Sequence, residues 1–125
     1  MIVVDTSVWI DHLRKGVSAL ARPLEQGLVL MHPFVLGELA CGNLKDREQA
    51  LYLMGNLPQP VVATDTEALA FIEKRALMGR GIGYIDVHLL ASAVLTDRAT
   101  LWTRDRRLRA VAIELGLQFE PGNPH

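Results

Sequence analysis

What most limits the fold of this chain is an alternation: short apolar runs, each followed by a stretch with helical spacing of its apolar residues. Residues 2–4, the segment "LVLMH" and the segment "TLWT" read as strands, and each precedes a helix-like stretch. Strands separated by helices pair in parallel through right-handed crossovers, and a parallel sheet needs helices over both faces. The expectation is an α/β fold. At 125 residues the chain is long enough for one such core and too short for two, so residues 1–125 are read as a single domain.

The helix signals are local. Thr6 or Ser7 can cap a helix carrying Val8, Trp9, Ile10 and Leu13, closed by Gly16. A second helix runs through Leu20 and Leu24 toward Gly27, interrupted by Pro23. Pro33 suits the first turn of a helix through Phe34, Val35, Glu38 and Leu39 that closes at Gly42, and another helix covers residues 48–54. Pro58 and Pro60 mark a turn before "VVA" at 61–63, a strand candidate. Thr64 and Glu67 have capping-box spacing for a long helix toward Met78. An apolar helix follows with Ile85, Leu89, Leu90, Ala93 and Val94. After "TLWT", "RDRRLRAVAIELG" reads as a helix closed by Gly116, "LQF" as a last strand, and the rest as a short polar tail.

The formal net charge of −1 argues against nucleic-acid binding by bulk charge and leaves a local basic patch open. The one cysteine, Cys41, can form no internal disulfide and no thiolate metal cage. The opening apolar run is broken at Asp5 and Asp11, unlike a signal peptide, and no apolar segment has the length of a membrane span. A cytoplasmic protein with no membrane association is expected.

Asp5 ends the first apolar run, where a buried carboxylate is costly without a cap or a cation to compensate it. Ligands of parallel sheets bind beyond the carboxyl ends of the strands, which is where Asp5 belongs, together with Thr103 and Asp105 after "TLW". Glu38 in "FVLGELACG" and Asp86 in "IGYIDVHLLASA" interrupt otherwise apolar helices. Singly, each acid reads as a helix-terminal or salt-bridged group. Taken together, Asp5, Glu38 and Asp86 have few lysines or arginines nearby, whereas Asp105 sits among several arginines. Like charges ~4 Å apart at an effective dielectric of ~20 repel by roughly 4 kcal/mol, so a cluster needs protonation or a cation. A donor set of oxygens without a His or Cys framework favours Mg²⁺ or Mn²⁺ over Zn²⁺.

At these residues the chain resembles the PIN-domain ribonucleases, specifically the VapC-like toxins of type II toxin–antitoxin systems. "VVDTSVWID", "FVLGELACG", "GIGYIDVHLLASA" and "LWTRD" occur in the expected order and carry the family's ordered acids, Asp5, Glu38, Asp86 and Asp105. The resemblance implies a three-layer α/β/α sandwich with a central, mainly parallel sheet. It also implies hydrolysis of RNA phosphodiesters at those acids with Mg²⁺ or Mn²⁺, which restrains translation. Asp5 and Asp86 would be the main metal ligands, Glu38 would bind metal or orient water, and Asp105 would complete the pocket. Thr6 and Thr103 would support the carboxylates. A cognate VapB-like antitoxin and a homodimer are further implications.

Asp105 also fits a helix N-cap. Arg104, Arg106, Arg107 and Arg109 form the densest basic cluster; they and Arg80 can grip RNA phosphates or line a solvated helix face. Asp11 reads as a surface acid and His88 as a core or interface residue. His12, His32 and His125 show no metal spacing, Cys41 reads as a small packing residue, and Trp9 and Trp102 as core. "GRGIG" is no dinucleotide fingerprint, and "DTS" lacks the second aspartate of a haloacid dehalogenase phosphatase. The competing reading is a PIN-like domain that binds RNA or a protein without cutting. It has little use for four carboxylates that repel a phosphate ligand.

Overall fold

In a computed structural model, which describes residues 1–121, strand β1 (Ile2–Val4) lies at the centre of a three-stranded sheet. Residues 122–125 of the tail, His125 among them, lie outside the described residues. Strand β2 (Val29–Leu30) flanks β1 on one side and β3 (Thr100–Trp102) on the other, all parallel. Ile2 faces Val29 and Thr100 in register, Val3 faces Leu30 and Leu101, and Val4 faces Trp102. Successive strand residues point to opposite faces, and all three residues of β1 are buried, so both faces of the sheet are covered.

Helices α1 (Thr6–Lys15) and α2 (Ser18–Glu25) connect β1 to β2. Helices α3 (Pro33–Ala40), α4 (Arg47–Gly55), α5 (Asp65–Arg75) and α6 (Tyr84–Leu95) connect β2 to β3, and α7 (Arg106–Glu114) follows β3. The chain thus leaves β1 toward one neighbour and returns on its other side. This puts the reversal of strand order beside the carboxyl ends of β1 and β3, where Asp5 and Thr103 follow the strands. α6 packs on β1 and β3 and is buried continuously from Val87 to Ala93. The expected parallel α/β architecture is the observed one.

Several local expectations need correcting. Residues 61–63 form no strand: Val61 and Val62 face solvent, and the Val61 amide donates to Thr96 Oγ1 instead of to a ladder. The "LQF" segment makes a single bridge, Gln118 to Leu101, in place of a full strand. The Thr64–Glu67 capping box is present, but α5 stops at Arg75, where Ala76 takes the left-handed conformation (φ 54°). Asp5 occupies the N-cap position of α1; Thr6 and Ser7 lie inside the helix with their hydroxyls engaged elsewhere. Cys41 is exposed at the C-cap of α3, so it is no core packing residue.

His32 precedes Pro33 and caps α3: its Nδ1 accepts from the Phe34 amide at 3.0 Å. The ring is fully buried, and its Nε2 has no hydrogen-bond partner among the described residues. It lies against Phe34 and His88, with centroids at 5.0 and 6.3 Å. His88, also buried, packs edge-on to Phe34 and Tyr84. Both histidines therefore serve as core aromatics joining α3 to α6.

Burial, and secondarily His88, lowers the pKa of His32 from the usual 6.5 to about 4. The unfolded chain takes up this proton near pH 6.5 and the folded one resists it until about pH 4, so the unfolded state binds more protons between those values. Stability is therefore intact above pH 6.5 and declines as pH falls toward 4, by roughly 3 kcal/mol from this group. Denaturant titrations across that window will show the decline. In His32→Asn, which keeps a capping acceptor without a titrating ring, that part of the slope will be absent.

Candidate active site

Asp5 is only 7% exposed, and its carboxylate is held by two hydroxyls. Thr103 Oγ1 and Ser7 Oγ each donate to Oδ2 at 2.7 Å. Those hydroxyls are themselves oriented by α7's approach: the Arg104 amide donates to Ser7 Oγ and the Asp105 amide to Thr103 Oγ1, both at 3.0 Å. The turn after β3 is thereby fastened to the turn after β1. Ser7, read from sequence first as a helix cap and second to Thr6 as a carboxylate partner, is a full member of this network; its position two residues after Asp5 was the available signal.

Glu38 lies on α3, and Thr6 Oγ1 donates to its Oε1 at 2.6 Å, linking α1 to α3. Asp86 sits in the first turn of α6, where the Gly83 amide donates to its Oδ2 at 2.9 Å. Asp105 caps α7, its Oδ1 accepting from the amides of Arg107 (2.9 Å) and Leu108 (3.0 Å). The N-cap alternative for Asp105 is thus present in the structure.

The electrostatics of Asp86 show that these side chains share a field. Half-buried, it holds its proton more tightly than an ordinary aspartate, first through burial, partly opposed by the Gly83 amide, and then through the negative charges of Asp5, Asp105 and Glu38. None of the four acids forms a salt bridge with a lysine or arginine among the described residues. Yet no three His, Cys, Asp or Glu side chains among the described residues are close enough to hold one ion together. The four converge at the range of charge repulsion, and each keeps its own local hydrogen bonds.

The arginines divide. Arg104 pairs with Asp11, which is therefore no free surface acid, and Arg80 pairs with both oxygens of Glu114. Arg109 pairs with Glu120. Arg106 and Arg107 have no side-chain ion pair among the described residues. Trp9 and Trp102 are buried in the core, and His12 caps backbone: its Nδ1 accepts from the Val17 amide.

The PIN domain pattern matches residues 2–114, nearly the whole described chain. The chain belongs to the PIN-domain family. Among curated proteins it is 46% identical over 117 residues to Ribonuclease VapC32 of Mycobacterium tuberculosis, strain CDC 1551 / Oshkosh. The same figures hold for Ribonuclease VapC32 of strain ATCC 25618 / H37Rv, and in both cases 94% of each chain is covered. This PIN domain has a parallel three-stranded sheet with helices on both faces, and its described helices include none long and apolar enough to cross a membrane.

Thr103→Val removes a donor from the buried Asp5 carboxylate and strands the Asp105 amide. It is expected to lower unfolding stability by about 1–3 kcal/mol in denaturant titrations, whereas Thr103→Ser, which keeps the hydroxyl, retains most of it.

Proposed function

We propose that this PIN domain, acting as one unit over residues 1–125, is a metal-dependent endoribonuclease toxin that cleaves RNA and so restrains translation. The single observation that carries the reading is the charge around Asp86: three further carboxylates act on it, with no cationic partner among the described residues. The 46% identity to a ribonuclease over 94% of the chain supports the same chemistry.

The donor set fits Mg²⁺ or Mn²⁺: it is all oxygen, strongly anionic, and without histidine or thiolate ligands. Because no three of these side chains among the described residues lie close enough to share one ion, Asp5 and Asp86 would hold it directly and Glu38 and Asp105 would complete the set through bound waters. When bound, the ion supplies a water of lowered pKa and neutralises charge developing on the phosphate. The chain's own part is positional. Ser7 and Thr103 fix the rotamer of Asp5, Thr6 steadies Glu38, and the Gly83 amide anchors Asp86. Arg80, Arg104, Arg106 and Arg107 supply cations for RNA phosphates, of which Arg80 and Arg104 must first leave Glu114 and Asp11. These pairs are exposed and screened by solvent, so an RNA backbone can displace them.

By its likeness to the VapC-like toxins, the protein works in the cytoplasm as a homodimer and is neutralised by a VapB-like antitoxin. The test is cleavage of total RNA by antitoxin-free protein with Mg²⁺, Mn²⁺ or EDTA. Discrete cuts are expected with metal and none with EDTA. Asp5→Asn and Asp86→Asn, with circular dichroism unchanged, are each expected to slow cleavage by more than about 100-fold. Cleavage untouched by Asp5→Asn would refute the site, and folded wild-type protein that cuts no RNA under any metal would favour a binding-only PIN domain.

A further inference from the structure

Gly81 lies in the glycine-rich loop two residues before Gly83, the residue whose amide holds Asp86. Its φ of +79° favours glycine, and a second constraint acts there as well: a Cβ on Gly81 would lie 2.7 Å from both Cδ and a guanidinium nitrogen of Arg107. The Arg107 side chain therefore reaches from the first turn of α7, beside Asp105, onto the loop that leads into Asp86. It spans the two segments that deliver those acids.

Arg107 is exposed, and its guanidinium makes no ion pair or hydrogen bond among the described residues, whereas Arg80, Arg104 and Arg109 are each matched to a carboxylate. A permanently charged planar fork with its donors free, seated at the rim of an anionic pocket, is suited to an anion that the carboxylates alone would repel. Phosphates flanking a scissile bond are such anions, and contacts to them position a strand without reading its sequence.

We propose that Arg107, lodged against Gly81, binds a backbone phosphate adjacent to the one cleaved, and that residue 81 is glycine partly to leave room for it. The proposal rests on the ribonuclease reading above and assigns a phosphate subsite within it. Arg107 is a substrate-binding residue here, while Gly81 acts through Arg107 and is a positioning residue.

Binding and cleavage can be separated. In the Asp5→Asn background with EDTA, anisotropy of a fluorescein-labelled, mixed-sequence single-stranded oligoribonucleotide measures affinity from low to moderate salt. Arg107→Gln is expected to raise Kd about fivefold and make the plot of log affinity against log salt shallower by about 0.7. Arg107→Lys should keep that slope. Arg98→Gln removes the same charge at the opposite end of the sheet, where the Met1 ammonium meets the Arg98 carbonyl, and should leave the slope unchanged. Gly81→Ala should weaken binding in the Asp5→Asn background and add nothing once Arg107 is Gln.

In the active enzyme Arg107→Gln should raise KM with kcat nearly constant, as loss of uniform binding does. The subsite is overturned if Arg107→Gln leaves Kd and slope unchanged, or if Arg98→Gln flattens the slope as much. Failure of the wild type to cut RNA would sink the nuclease reading while the anisotropy still decided whether Arg107 holds phosphate.

Discussion

Mutual repulsion among carboxylates at one edge of a parallel sheet is the constraint around which the molecule is arranged. Asp5 cannot move away from it, because it follows the central strand directly and β1 is paired on both sides. The sheet register brings Thr103 to the same edge, one residue after Trp102, and its hydroxyl meets the Asp5 carboxylate. Neutral hydroxyl donors hold the geometry of a buried carboxylate without cancelling its charge. A cationic partner would fix Asp5 equally well, but it would remove the negative potential on which binding of a divalent ion depends.

The remaining acids are delivered by helices whose positions are set elsewhere. α6 is buried along most of its length against β1 and β3, which leaves its first turn, with Asp86, at the sheet's carboxyl edge. Its Tyr84 hydroxyl donates to Asp65 at 2.5 Å, and His88 on the same helix face lies 3.3 Å from that carboxylate, so α5 grips α6 on a face different from the one that carries Asp86. α3 is tied to the same assembly by His32 and Phe34, which pack with His88, and by the Thr6 to Glu38 hydrogen bond. Rigidity at the candidate site thus derives from apolar and aromatic packing a few residues away from each acid.

Much of the fold was legible because its signals are local. The Thr64–Glu67 capping box, Pro33 in a first turn and the buried strand "IVV" each depend on neighbours in sequence. The "VVA" segment misled because its β-branched residues have strand propensity, while strand formation needs a partner edge, and Thr96 takes the Val61 amide instead. By local spacing Thr6 and Ser7 looked like caps, and only the family resemblance pointed Thr6 toward a carboxylate, since its partner Glu38 lies 32 residues away. Arg80 and Arg104 read as free cations because Glu114 and Asp11 are distant in sequence.

The sequence by itself determined the strand–helix alternation, the identity of the acids and the scarcity of cations near Asp5, Glu38 and Asp86, since composition and short-range spacing carry all three. The tertiary structure decided which hydroxyl serves which carboxylate, that Asp86 feels the charge of Asp5, Glu38 and Asp105, and that Arg107 rests on Gly81. Those relations join residues from opposite ends of the chain. They come into being only when parallel pairing of β1 with β3 and the packing of α6 bring distant segments to one edge, and no local pattern encodes that distance.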